Sequence, residues 1–157
     1  MTKIAVVGSR NPSLESVKAV YSWLDGYREK NNDSDLTIVT GGAFGMDTEA
    51  MNYAVENHLR LLVFAPNKFH NSELCSELKG RAGCEIIDTN LGYLERNTRI
   101  IENSDFVVCS DYGNGTIDGI KKAVSSGKKV YVFGKYVSSS RIKKKLPESE
   151  LVFIKNG

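Results

Sequence analysis

The residues of this chain best suited to chemistry sit in three glycine-bearing turns: Gly8-Ser9-Arg10, Gly41-Gly42-Ala43-Phe44-Gly45-Met46-Asp47, and Gly113-Asn114-Gly115-Thr116. Each follows a short apolar run and opens onto a helical pattern. At such a junction the first helical N–H groups lack an intrahelical acceptor, and the helix dipole favours an anion beside them. Turns of this kind at one edge of a parallel sheet can converge on a single phosphate-bearing ligand. In the first, Gly8 permits a tight turn, Ser9 can donate to a phosphate oxygen, and Arg10 can add a charge-assisted fork. Read without a ligand, it is a strand-to-helix turn with a surface arginine. In the second, Gly41, Gly42 and Gly45 keep the backbone unobstructed. Phe44 at the turn tip offers a ring to a base or sugar, and Asp47 either accepts from a ribose hydroxyl or caps its own helix. Core insertion of Phe44 is the ligand-free alternative. In the third, Asn114 or Thr116 presents a side chain beside the open amides of the next helix, which has the makings of a phosphate cradle.

A further cluster, Glu95-Arg96-Asn97-Thr98-Arg99, falls on a helical pattern. Arg96 and Arg99 are spaced to share a face, and Glu95 with Arg99 fits a surface ion pair. Arg96 with Asn97 is the better binding candidate, because a fixed guanidinium binds phosphate bidentately. Other chemistries have no pattern here. The first turn is not GxGxxG, and no G-x-S-x-G turn is present. His58 and His70 form no metal motif. Cys75, Cys84 and Cys109 are odd in number and lack CxxC spacing, so neither a zinc site nor a disulfide framework is expected. Cys109 ends an apolar strand and reads as a small buried hydrophobe, with a reactive thiol as the alternative. No metal and no cofactor are called for.

Apolar runs alternate with helical patterns along the chain. Strands are expected at Ile4–Val7, Leu36–Thr40, Leu61–Ala65, Glu85–Ile87, Phe106–Cys109 and Val130–Phe133, with Leu151–Ile154 as an edge strand. Helices are expected after Asn11-Pro12, with Leu14, Val17, Val20, Tyr21 and Leu24 inward, and over Gly45–Asn57 and Ser72–Leu78. Two more are expected over Leu91–Asn103, with Leu94, Ile100 and Ile101 inward, and over Gly115–Ser126. Strand runs rich in Val and Ile, alternating with helices, imply an α/β fold: a single doubly wound, mostly parallel Rossmann-like sheet with helices on both faces. Ligands in such sheets lie beyond the C-terminal strand ends, where all three turns fall.

At 157 residues the chain is expected to form one domain over 1–157, with a lysine-rich tail over 136–157. A formal net charge of +2, from 21 basic and 19 acidic residues, argues against a nucleic-acid coat or polybasic membrane binder. No apolar run approaches the roughly 20 residues that span a bilayer, and Ile4–Val7 is too short for a signal-peptide core, so a cytoplasmic location is expected. The run Arg141-Ile142-Lys143-Lys144-Lys145 reads as a solvated face, with nucleic-acid contact as the sharper alternative.

The ordered set GSR, TGGAFGMD, ERN and GNGT resembles the SLOG superfamily of Rossmann-like nucleotide-binding proteins over roughly residues 3 to 135. That group includes the Lonely Guy phosphoribohydrolases, the DNA-processing protein A fold and small stand-alone proteins, the last being the most similar type. The resemblance implies that Gly8, Ser9, Gly41, Gly42, Gly45, Arg96, Gly115 and Thr116 surround a nucleotide or nucleotide-derived ligand. It also implies that Arg96 matches the arginine with which the Lonely Guy enzymes support N-glycosidic cleavage. Their phosphate motif, PGGxGTxxE, corresponds here to Tyr112-Gly113-Asn114-Gly115-Thr116-Ile117-Asp118-Gly119, so Gly119 stands where the glutamate falls. Glycine cannot stabilise an oxocarbenium-like centre. Asp118 comes one position early, which on a helix turns it about 100° away.

The expectation is therefore a binding module for a nucleotide or nucleotide-derived small molecule. The alternative is a nucleotide N-glycosidase, phosphoribohydrolase or deoxyribosyltransferase, with Arg96, Asp118 and Glu95 as catalytic candidates and Asp47 and Asp111 as other nearby acids. Single-stranded DNA binding is a weaker alternative. No membrane partner is expected, and a homo-oligomer is.

Overall fold

The computed structural model describes residues 2–31, 35–136 and 151–154. Along the chain it forms β1 (Thr2–Gly8), α1 (Leu14–Asn31), β2 (Leu36–Thr40), α2 (Met46–Glu56), β3 (Arg60–Ala65) and α3 (Ser72–Leu78). There follow β4 (Cys84–Asp88), α4 (Tyr93–Glu102), β5 (Phe106–Tyr112), α5 (Asn114–Ser125), β6 (Val130–Tyr136) and β7 (Leu151–Ile154). The strands form a seven-stranded sheet in the order β4-β3-β2-β1-β5-β6-β7. Every pairing is parallel, so the doubly wound Rossmann-like architecture is present.

The sheet is covered on both faces, which is why its strands read as near-continuous apolar runs. Alternate residues of one strand serve opposite layers. Ile4 and Val6 of β1 join the core under α1, α2 and α3, with Val20, Leu24, Met46 and Cys75. Ala5, between them, faces α4 and α5 with Ile100, Ile101, Ile120 and Ala123. At the far end of the first layer, Trp23, Tyr27, Phe106 and Tyr131 form a ring cluster with centroids 4.9–6.0 Å apart.

What positions the site is the reversal of strand order at β1. From β1 the chain moves outward to β4, then crosses back over α4 to place β5 on the other side of β1. The register Val7↔Cys109 and Gly8↔Ser110 brings the ends of β1 and β5 together. The crevice above such a reversal is where open α/β sheets bind ligands. Its geometry is stapled by Asp111, a buried residue with φ 48 at the irregular end of β5. Its carboxylate accepts from the Ser13 amide at 2.7 Å, the Ser16 hydroxyl at 3.2 Å and the Lys135 amide at 2.9 Å. One side chain thus joins β5 to the start of α1 and to β6.

Two residues expected inside are not. Leu14, the first residue of α1, is 69% exposed. Leu94 is 40% exposed, because the inward side of α4 at that level is taken by Arg96 and Asn97. Ser138–Ser140 and the basic run 141–145 lie outside the described residues. Among the described residues no helix is long and apolar enough to cross a membrane.

Candidate functional site

A cavity of about 460 Å³ opens above the reversal. Its floor is apolar: Val7 from the end of β1, with Ile100 and Ile101 from α4. One wall is the first turn, Gly8 to Asn11. The facing wall is the start of α5, Gly113 to Thr116, with Gly119 one turn further in. Ala43 and Asp47 enter from the second turn, and Phe69 from the loop between β3 and α3. The side along α4 is a single helical stripe of Tyr93, Arg96, Asn97, Ile100 and Ile101. These positions repeat at three and four residues, so they share one face. The stripe is polar or aromatic toward the helix N-terminus and aliphatic below.

The three turns do not contribute alike. In the first, the Ser9 amide is already bonded to the carbonyls of Ser110 at 3.2 Å and Asp111 at 2.8 Å. The Ser9 hydroxyl accepts from the Asn11 amide at 2.9 Å, and its own proton remains the group it can give a ligand. In the second, the Ala43 amide donates to Asp47 Oδ2 at 3.1 Å, and the Met46 amide donates to the Ser9 carbonyl at 3.0 Å. Gly45 has φ 83, and a Cβ there would fall 2.5 Å from the carbonyl carbon of Arg10. Its glycine therefore serves the joining of the first two turns. Gly41, Gly42 and Gly45 are not among the residues that line the cavity, and neither is Phe44, which is exposed. The third turn is different. Gly113 supplies no capping side chain, and Thr116 Oγ1 accepts from the Gly113 amide at 3.3 Å. The first-turn amides of α5 point along the helix axis toward the cavity, as geometry requires of any helix start.

Arg96 is only 5% exposed although it lines the cavity. Its Nη1 donates to the carbonyls of Gly41 and, at 3.1 Å, Phe64. These acceptors are neutral, so they orient the guanidinium without cancelling its charge. Its Nε is buried and has no partner among the described residues. The approach is close enough that a Cβ on Gly41 would sit 2.6 Å from Arg96 Cζ and 2.8 Å from Asp47 Oδ2. Glycine at 41 is what admits the arginine. Burial pushes the Asp47 carboxyl up, while the Arg96 guanidinium and the Ala43 amide pull it back. Burial likewise lowers Arg96, Asp47 offsets that, and Arg10 acts in the same direction as burial.

The other acids stand apart from the cavity. Asp118 Oδ2 accepts from Asn97 Nδ2 at 3.1 Å and pairs with Lys122 at 2.9 Å. Asn97 also donates to the Gly115 carbonyl at 3.2 Å, which locks α4 against the start of α5. Glu95 is exposed and off the cavity, as is Arg99. Asp111 is occupied as the staple described above. Asp47 is thus the one carboxylate among the lining residues, against two arginines, Arg10 and Arg96. Cys109 lies in the core under α4 and α5, where burial pushes its thiol up to about 12. Among the described residues no group of three or more His, Cys, Asp or Glu could hold a metal ion.

Tyr93 and Phe69 line the cavity outside the motifs expected to form the site, and Asn11, expected only as a lead-in to the first helix, lines it too. Tyr93 was detectable as the outermost member of the Arg96–Asn97 stripe. Phe69 lies in a segment with no periodicity, and nothing in the sequence marks it.

An all-parallel α/β sheet with its strand reversal at β1 defines a Rossmann-like fold. A family model described as DNA recombination-mediator protein A matches residues 1–148. The chain belongs to that family, and with it to the SLOG superfamily. No curated protein matches it in sequence. Among solved structures it is similar to DNA processing protein A from Streptococcus pneumoniae, with 22% identity and a TM-score of 0.68 over 85% of this chain and 50% of that one. It is also similar to DNA processing protein A from Helicobacter pylori, described for its single-stranded DNA binding mode, with 21% identity and a TM-score of 0.64 over 87% of this chain and 66% of that one. A molybdenum cofactor binding protein from Rippkaea orientalis shows 20% identity and a TM-score of 0.64 over 87% of this chain and 77% of that one. The chain therefore spans about half the length of the Streptococcus protein. Likenesses at this identity establish the shared fold.

Proposed function

We propose that this protein binds a nucleotide or nucleotide-derived ligand in the cavity above β1 and β5, with the phosphate at the start of α5. The observation that carries the reading is the charge balance of the cavity. Two arginines and a helix N-terminus face one carboxylate, and that carboxylate sits beside Arg96. Among the described residues no carboxylate pairs with Arg10. An anion entering here meets a positive field inside low-dielectric walls, where it is worth more than in water. In this reading the Gly115 and Thr116 amides and the Ser9 hydroxyl bond the phosphate. Arg10 and Arg96 neutralise it, and the aliphatic floor excludes water. Arg96 acts through its charge, since its Nη1 is held by backbone carbonyls.

Titration calorimetry across nucleoside mono- and diphosphates, ADP-ribose derivatives and cyclic nucleotides tests the proposal. Binding that falls at least tenfold in Arg10→Gln or Ser9→Ala supports it. Absence of heat across the whole panel overturns it.

A second reading is single-stranded DNA binding, favoured by the family and by what the Helicobacter protein is described as binding. The large apolar side chains exposed among the described residues support it. Leu14, Phe44, Phe69, Tyr93 and Leu94 all fall in the segments following the strands or at the helix starts beside them. Anisotropy of a labelled oligodeoxythymidylate at two salt concentrations decides it, because phosphate-driven binding weakens steeply with salt. Glycosidic cleavage has less support, since it needs a carboxylate at the sugar and only Asp47 is placed on the cavity wall. Release of free base from nucleoside monophosphates would establish it. A homo-oligomer, which could add a carboxylate from a second copy, is tested by light scattering.

A further inference from the structure

Phe69 combines three features that packing alone does not explain. It is 69% exposed, it lines the cavity, and its backbone is left-handed with φ 59. A bulky side chain rarely adopts that conformation unless its surroundings hold it there. Here both flanks of the loop are pinned. The Asn67 amide donates to the Leu91 carbonyl at 2.9 Å, and the Asn71 amide donates to the Gly42 carbonyl at 2.8 Å. The ring is not left loose either: Arg10 Cζ lies over it, 5.6 Å from the centroid. An aromatic ring is thus held out at the mouth of a cationic cavity by a fixed loop and an arginine.

We propose that Phe69, oriented by Arg10, is the platform on which the ligand's heteroaromatic ring stacks, so that the cavity selects a nucleotide base over a bare sugar phosphate. The proposal rests on the nucleotide reading of the cavity and assigns the base-recognising role to Phe69, where Phe44 stands outside the wall. A phenyl ring has two faces. The guanidinium covers one, and the flat face of a purine or pyrimidine takes the other. Stacking of this kind tolerates any base but strengthens with ring area, so purines bind more tightly than pyrimidines. Arg10 is a positioning residue for the ring as well as a charge for the phosphate.

The test is calorimetry of AMP, UMP and ribose 5-phosphate on the full chain and on Phe69→Leu and Phe69→Trp. Leucine keeps apolar volume and removes the π-face, whereas tryptophan restores and enlarges it. The wild type is expected to bind AMP above UMP above ribose 5-phosphate. Phe69→Leu should weaken AMP by about 5- to 100-fold and leave ribose 5-phosphate within about twofold, while Phe69→Trp should hold AMP at or above the wild-type affinity. Equal binding of AMP and ribose 5-phosphate by the wild type overturns the platform and leaves the phosphate site standing. So does an AMP affinity unmoved in Phe69→Leu, or an equal loss for both ligands. If the wild type binds none of the three, the nucleotide reading falls and the platform falls with it.

Discussion

Replacing Gly41 by alanine probes the contact on which the site's charge placement depends. The added methyl would lie 2.6 Å from Arg96 Cζ and 2.8 Å from Asp47 Oδ2, so the guanidinium must move. Overpacking of this kind costs about 1–3 kcal/mol. Moving Arg96 also weakens its bonds to the Gly41 and Phe64 carbonyls, and a bond to a charged group contributes about 1.5–3 kcal/mol. Gly41→Ala should therefore destabilise the fold by about 3–5 kcal/mol. Arg96→Met leaves Asp47 and two carbonyls without their cation, for about 3–5 kcal/mol. In the double variant the methyl enters space that the guanidinium has left, so the losses should fall short of their sum by about 1–3 kcal/mol. Urea unfolding reads this as midpoint shifts at constant slope. Losses that add within about 0.5 kcal/mol would show that Gly41 and Arg96 do not constrain each other.

Gly45→Ala places a Cβ 2.5 Å from the Arg10 carbonyl carbon at a φ of +83. It should lower stability by more than about 2 kcal/mol, read as a fall in thermal midpoint of at least about 4 °C. A Cβ at Gly119 would meet only Asn97, at 4.0 Å, and the position lines the cavity, so Gly119→Glu should fold with a near-normal thermal midpoint and bring a carboxylate to the cavity wall. Chromatography of nucleoside monophosphates incubated with both proteins should show no free base from the wild type. Burial pushes the Cys109 thiol up to about 12. At pH 8 its thiolate is scarce and enclosed, so peptide mapping after iodoacetamide should find Cys109 unmodified in the native protein and alkylated after unfolding.

The fold was legible because its signals are redundant. Val- and Ile-rich runs at β1, β2 and β5, each closed by a turn and followed by a periodic stripe, admit few topologies. The edge strand Leu151–Ile154 was visible from its short apolar, β-prone run alone. Leu14 and Leu94 were misplaced because periodicity reports a helix face but not how much of it is covered. In the site, Arg96 and Asn97 stood out as polar residues on a stripe that continues as Ile100 and Ile101. Their division of labour did not: hydrogen bonds to carbonyls more than 30 residues away in sequence are invisible to local pattern. The glycines of the second turn looked like ligand contacts. The structure gives Gly41 and Gly45 the task of admitting Arg96 and the first turn, a reason that appears only when three elements meet. Phe44 is the aromatic the sequence points to, because it sits in a glycine turn, whereas the structure puts Phe69 on the cavity and Phe44 outside it.

The central claim, that an anionic ligand sits on the start of α5 between the first turn and α4, is tested most directly by amide NMR during titration with AMP. The account predicts that the largest shifts, with protons moving downfield as they donate to phosphate, fall on Gly115 and Thr116, with smaller changes around Arg10 and Tyr93. Shifts confined to the opposite edge of the sheet, or a silent Gly115 and Thr116 at saturating ligand, would contradict it.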